Sequence, residues 1–296
     1  MNSSMPKALP IPTKQQREEK ASRTSFLRAE FEQRGGTTVM TGKYQTAPIK
    51  IAKTFDYSGE LAAIVMDASP GMLEGDTYRF DWRAGPGTSV YVTNQSYTKV
   101  HPCGDGSGAV MQQRFKVEDG ALMQSMMEPI MLYRDADLMN DSEVQLGCGA
   151  VWMQAEVLSP GRLLRGESFL YRKLDNRLKV YHGDELVFYQ RQLIEPGLQQ
   201  LEAPGAWEGQ THFGTLYAFS DRINPGWLAT AREVLDKPLQ AAGEHPVLAG
   251  ASLTSKHGLA VLAAGRTAWQ LQKTLRAVWT ALRQEQLQAP PLRVLQ

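Results

Sequence analysis

Between about Thr37 and Phe219 the apolar residues recur mainly at every second position, and this periodicity constrains the chain more than any other feature. The segment from Thr77 to Trp82 puts Tyr78, Phe80 and Trp82 on one side and Thr77, Arg79 and Asp81 on the other. Successive side chains of a strand point to opposite faces of the pleat, so the pattern predicts a half-buried strand. Gly85-Pro-Gly87 punctuates it, and Thr88 to Thr93 reads as the next strand. Further strands are predicted over Val110–Val117, Ala121–Met126, Val144–Leu158 (broken at Gly147 and Gly149), Phe169–Lys173, Leu178–Tyr181 and Leu186–Leu193. His182-Gly-Asp-Glu185 joins the last two as a hairpin turn, with Gly183 free to take positive φ. Short strands separated by regular turn signals predict a mainly β architecture rather than βαβ units.

Helical spacing enters only late. Asn224-Pro225 is a start signal, an Asn cap followed by a Pro whose missing N–H is not needed there. Trp227, Leu228, Ala231, Val234 and Leu235 follow at helical intervals up to Pro238. A second helix is predicted from Thr267 to Gln288, with Leu271, Leu275, Val278 and Leu282 on one stripe and Trp279 beside it. Gly258–Ala264 between them reads as a short apolar strand. The Trp279 stripe either packs internally or receives a partner; periodicity does not choose between these.

The ends are different in character. Residues 1–23 are polar and broken by Pro6, Pro10 and Pro12, and are expected to be a flexible leader. A short amphipathic piece over Phe26–Phe31 follows. One β-rich domain is expected over residues 24–289, including the two late helices, with 290–296 as a tail. No apolar run reaches the roughly 20 residues of a membrane span, and the first 20 residues lack the apolar core of a secretory signal. Two cysteines, Cys103 and Cys148, do not make a disulfide framework and fit a reducing cytoplasm. With 32 basic and 31 acidic residues the chain has no global field to hold a phosphate backbone, which argues against nucleic-acid binding.

No catalytic motif is evident: there is no G-x-S-x-G elbow, Walker A loop, H-E-x-x-H or CxxC pair. Gly104 to Gly108 is glycine-rich but lacks the strand and helix of a dinucleotide loop. His101 and Cys103, with Asp105 close behind, pair an imidazole with a thiol, donors suited to nickel or zinc. Two residues do not close a metal site, so a transient contact at most is expected there. His182, His212, His245 and His257 are dispersed along the sequence, and Met123, Met126, Met127 and Met131 read as core filler. Among the carboxylates, Asp67, Glu74 and Asp76 cluster around Pro70-Gly71, and Glu128 sits in an apolar run where it needs a partner, a cation or water. Asp76 reads equally as a turn residue capping nearby N–H groups.

These segments also carry a resemblance. Pro70-Gly-Met-Leu-Glu-Gly-Asp76 resembles the G-G-x-x-x-G-D signature of the UreD/UreH family of urease accessory proteins. As in that family, it precedes Gly85-Pro-Gly87, a Thr/Lys element ending at Lys99, Gln112-Gln113, Asp119-Gly-Ala121 and Glu128-Pro-Ile-Met-Leu-Tyr133. The similarity continues through Leu158 to Arg162, Gly166 to Phe169, Gly214 to Leu216 and Leu275 to Arg283. Two departures are Pro70, where the family has Gly, and Gln190, where many relatives place Glu before Arg.

The resemblance implies a layered β-helix-like or β-sandwich-like scaffold with a few helices and no catalytic activity. It implies association with accessory proteins F and G and with apo-urease, and transient carriage of nickel through an internal polar passage with no tightly bound cofactor. Asp76, Glu128 and Asp67 are then the nickel-path candidates. Trp279, Tyr91 and Tyr97 are the partner-binding candidates, with Trp152 a further docking aromatic, if their rings are exposed. The competing reading is a β-rich carboxylate-dependent hydrolase using Glu74 and Asp76 as its acid pair.

Overall fold

A computed structural model describes residues 24–104, 106–237 and 246–292. The expectations for the leader, Asp105, Pro238, His245 and the last four residues of the tail lie outside the described residues.

The period-two segments form two facing sheets. The first contains β1 (Thr24–Arg34), β2 (Thr37–Gln45), β5 (Thr77–Ala84), β8 (Ala109–Val117), β11 (Asp137–Leu146), β13 (Lys173–His182) and β14 (Glu185–Ile194), in the order β14-β13-β11-β8-β5-β1-β2. The second contains β3 (Ile49–Tyr57), β4 (Glu60–Asp67), β6 (Ser89–Asn94), β9 (Leu122–Met126), β12 (Val151–Ser159), β15 (His212–Phe219), β16 (Leu248–Leu253) and β17 (Gly258–Gly265), in the order β16-β17-β15-β12-β9-β6-β4-β3. Two short strands, β7 (Thr98–Val100) and β10 (Ile130–Leu132), extend it from β12.

The chain crosses from one sheet to the other and returns one strand further along. Neighbours β1, β5, β8, β11 and β13 are therefore parallel, as are β4, β6, β9 and β12. Parallel pairing needs a crossover, and here a strand of the opposite sheet supplies it in place of a helix. The result is a β-solenoid-like stack of coils closed by antiparallel hairpins: β1 with β2, β3 with β4, and β13 with β14.

The alternation read from the sequence is what fills the space between the sheets. Tyr78, Phe80 and Trp82 of β5 face inward with Met111 and Phe115 of β8, Leu138 and Val144 of β11, and Trp152 of β12. A second apolar layer lies on the far side of the second sheet. There Val151, Met153 and Val157 of β12 meet helices α1 (Pro225–Asp236) and α2 (Ala268–Gln286). The predicted stripe Leu271, Leu275, Val278 and Leu282 is buried in this layer, each side chain contributing roughly 1.5–3 kcal/mol by leaving water. α1 begins as its sequence signals require, with Asn224 Oδ1 accepting the Gly226 N–H at 2.8 Å.

Several segments differ from expectation: β11 begins at Asp137 and β13 at Lys173, well before the predicted starts at Val144 and Leu178. Phe26–Phe31 is part of strand β1, with Leu27, Ala29 and Phe31 inward. Residues 169–172 are not a strand. Phe169 takes φ +53, its N–H goes to the Pro160 carbonyl, and its ring sits edge-on to Trp207. Leu248–Leu253 forms an edge strand that its small, exposed residues did not announce.

Candidate functional site

Most of the space between the sheets is apolar, but a polar row crosses it at right angles to the strands. In the first sheet Tyr78, Met111, Asn140 and Asn176 are register partners on β5, β8, β11 and β13. Neighbouring strands lie about 4.8 Å apart, so Tyr78 and Asn140 are roughly 10 Å apart along the stack, with the apolar Met111 between them. Beside this row Gln113 and Ser142 are partners on β8 and β11, and Gln113 Nε2 lies 3.4 Å from Ser142 Oγ. Across the gap, Ser125, Gln154 and Tyr217 are partners on β9, β12 and β15.

Glu156, two residues beyond Gln154 on β12, closes the row. Its carboxylate accepts from Asn140 Nδ2 at 2.9 Å and from Asn176 Nδ2 at 2.5 Å, and Asn140 Nδ2 also reaches Asn176 Oδ1 at 3.0 Å. No Lys or Arg among the described residues pairs with it. Burial pushes its carboxyl upward, and the two amides only partly oppose that. Asn140 Oδ1, Gln154 Oε1 and Ser125 Oγ are buried without a hydrogen-bond partner among the described residues. Buried oxygens of this kind ordinarily find a donor, water or a cation. The row is therefore rich in oxygen acceptors and poor in positive charge, a setting that suits a passing hard or borderline cation. Gln190 belongs here too, accepting from the Tyr217 hydroxyl.

The residues singled out from the sequence distribute around this row. Asp67 stands at its Tyr78 end: Oδ2 accepts the Tyr78 hydroxyl at 3.0 Å, while Oδ1 accepts the Ser69 N–H and hydroxyl at 2.8 and 2.6 Å. Burial, reinforced by the charges of Asp67 and Asp76, raises the Tyr78 hydroxyl well above its ordinary range and keeps it a proton donor. Asp76 is buried near the same hydroxyl, and its Oδ2 closes a turn on the Leu73 N–H at 2.8 Å. Glu74 is exposed and holds the Gly104 N–H at 3.1 Å. Glu128 is elsewhere, on the α2 side of the second sheet, where Gln272 Nε2 donates to it at 3.1 Å.

His101 Nε2 lies 3.0 Å from the Pro70 carbonyl and its ring is edge-on to Tyr133. Cys103 is buried, and burial raises its thiol, which disfavours the thiolate a metal would need. Among the described residues no three His, Cys, Asp or Glu side chains converge closely enough to hold a metal ion as they stand.

Tyr91 and Trp279 are 2% and 3% exposed, with ring centroids 5.6 Å apart, and Trp279 Nε1 donates to Gln124 Oε1 at 2.9 Å. The exposure required for docking is absent at both, because they bind α2 to its own sheet. Tyr97 is half-buried in the same layer. Glu156 escaped the sequence reading. The available signal was a pair of polar residues, Gln154 and Glu156, on the same side of an otherwise apolar strand.

No helix among the described residues is long and apolar enough to cross a membrane. Residues 23–296 match the model of the UreD urease accessory protein family. A protein named urease accessory protein UreD from Acetivibrio thermocellus is 32% identical over 246 residues, covering 82% of this chain and 91% of the relative. One of the same name from Haloarcula marismortui is 28% identical over 268 residues, covering 89% and 87%. Urease accessory protein UreH of Helicobacter pylori is 23% identical over 222 residues, covering 75% and 82%. With its motif order, its layered β fold and a family match that spans everything after the first 22 residues, the chain belongs to the UreD urease accessory protein family.

Proposed function

We propose that this chain acts in the cytoplasm as a non-catalytic maturation factor. It docks on apo-urease, links it to accessory proteins F and G, and passes nickel toward the urease active site along the polar row between its sheets. Glu156 is the central way station, and Asp67, with Tyr78 and Asp76 beside it, stands at one end. Glu128, His101 and Cys103 lie off this row and have at most an auxiliary part in it.

The observation that carries the reading is a buried carboxylate with no cationic partner, set between two amides in a line of unpartnered oxygens. A carrier must release its cargo, and a few oxygen donors hold nickel less tightly than a closed thiolate and imidazole cage. The neutral amides orient the carboxylate without neutralising it, so a divalent ion gains electrostatically by arriving there.

The test is Glu156→Gln in the complete accessory complex. The variant is expected to assemble with its partners at wild-type yield while urease emerges with less nickel per active site and proportionately lower activity. Glu156→Asp should recover part of the loss. Wild-type nickel content and activity with Glu156→Gln would overturn the passage.

A further inference from the structure

At the opposite rim of the stack, about 20 Å from Asn176 along β13, three elements bring two histidines and a carboxylate together. His182 ends β13, Asp221 follows β15, and His257 occupies the turn between β16 and β17. The two imidazole centroids are 5.1 Å apart. His182 Nε2 lies 3.4 Å from Asp221 Oδ2, and that nitrogen is buried without a hydrogen-bond partner.

We propose that His182, His257 and Asp221 form a metal site, for a borderline divalent ion such as Ni2+, Zn2+ or Co2+. A ring nitrogen about 2.0–2.1 Å from such an ion sets its ring centroid roughly 3.2 Å away, so two imidazoles at a tetrahedral angle have centroids about 5.2 Å apart. The observed spacing meets that condition. Donor atoms sharing a tetrahedral ion lie roughly 3.3 Å apart, which the His182–Asp221 distance also approaches. The three side chains do not converge on one point as they stand, so the set closes only when the His257 ring turns onto that point.

The surroundings are built to hold the carboxylate. The Gly149 N–H donates to Asp221 Oδ2 at 3.0 Å, an outer contact of the kind that orients a metal ligand. Glu185 follows in the hairpin at the start of β14, and its ion pair with Lys256 keeps that lysine occupied. His257 holds φ +53, and the Ser220 N–H donates to its carbonyl at 2.9 Å, so the residue that follows β15 fixes the turn that presents the ring.

This site goes beyond the maturation reading and stands apart from the interior row, so the two fail separately. Cobalt serves as the probe, because tetrahedral Co2+ with imidazole ligands absorbs visibly. Titration of the full chain by itself is expected to give one equivalent with intense d–d bands that Zn2+ and Ni2+ displace. His182→Ala and His257→Asn should each abolish those bands, Asn being chosen because it tolerates the left-handed backbone. Asp221→Asn should weaken binding at least tenfold, and Glu156→Gln should leave the bands intact. Absence of the bands in the wild type, or their survival in either histidine variant, would overturn the proposal.

Discussion

Two buried titratable residues make the stability of this protein depend on pH in opposite directions. His212, at the start of β15, is held neutral: burial lowers its pKa from 6.5 to about 4, against the opposing backbone contact at Arg266. A base whose folded pKa is depressed is protonated first in the unfolded chain. Its contribution is complete above pH 6.5, is lost as pH falls through the interval toward 4, and is constant below that. The full swing is up to about 3 kcal/mol. His212→Gln should therefore flatten the acid limb of a urea-denaturation series between pH 6.5 and 4; an unchanged slope would place His212 in water. Glu156 behaves the other way. Its folded carboxyl keeps a proton to higher pH than the unfolded one, so the stability it gives is complete below pH 4.5 and lost as pH rises toward the folded value. Glu156→Gln should gain stability relative to wild type as pH rises from 4.5. A constant difference across that range would mean that the carboxylate is compensated in the native state.

At the scale of elements, close approach decides where α2 can lie. Gly214 on β15 is a register partner of Val157 and of Ala263, and a Cβ there would stand 3.0 Å from Leu275 Cδ1 and 3.5 Å from Leu271 Cβ. The helix rests on that missing side chain. Gly214→Val is expected to cost about 1–3 kcal/mol by overpacking and to diminish the near-ultraviolet signal of Trp279, whereas Gly214→Ala, which a small shift of Leu275 accommodates, should cost less. Equal stability of all three proteins would remove the argument. Elements were also the scale at which the sequence was most legible. β5, β6, β8, β9, β14 and both helices lie within two or three residues of their predicted bounds, because alternation, caps and turn glycines are local signals. Gly183 takes φ +55 in the hairpin it was assigned to. The polar row was not legible in the same way. β12 is covered on both faces, by the first sheet and by α2, so it lacks the alternation that would have marked Gln154 and Glu156 as inward. Asn140, Asn176 and Glu156 become neighbours only through parallel register between strands from successive coils. Asp67 and Asp76 were singled out because a turn motif carries them, and Gln190, noted as a departure from the family pattern, faces Tyr217 across the interior.

For the whole molecule, the remaining question is what joins the helical layer to a stack of strands that could otherwise fold beneath it. Glu60 on β4 and Arg283 on α2 are 223 residues apart in sequence and meet in the apolar layer between sheet and helix. Arg283 Nη1 and Nη2 donate to the two Glu60 oxygens at 3.1 and 2.9 Å, Nη1 reaches Gln124 Oε1 at 2.7 Å, and Nη2 also reaches the Pro290 carbonyl at 2.8 Å. Gln124 Nε2 in turn donates to Glu60 at 2.7 Å, and the guanidinium lies 5.3 Å from the centre of the Trp279 ring. Removing one member leaves a buried charge unpaired, so Arg283→Ala is expected to cost about 3–5 kcal/mol. The double variant Glu60→Leu with Arg283→Met, which replaces the pair by apolar volume, should recover most of that loss. Cooperativity is the sharper readout. With the pair intact, tryptophan fluorescence, dominated by residues in both layers, and far-ultraviolet circular dichroism should trace one coincident urea transition. In Arg283→Ala the helical signal should melt first, because the unpaired Glu60 opposes seating of α2 while the interior of the stack is untouched. Coincident transitions in that variant would show that apolar packing of Leu271, Leu275, Val278 and Leu282 alone binds the layers together.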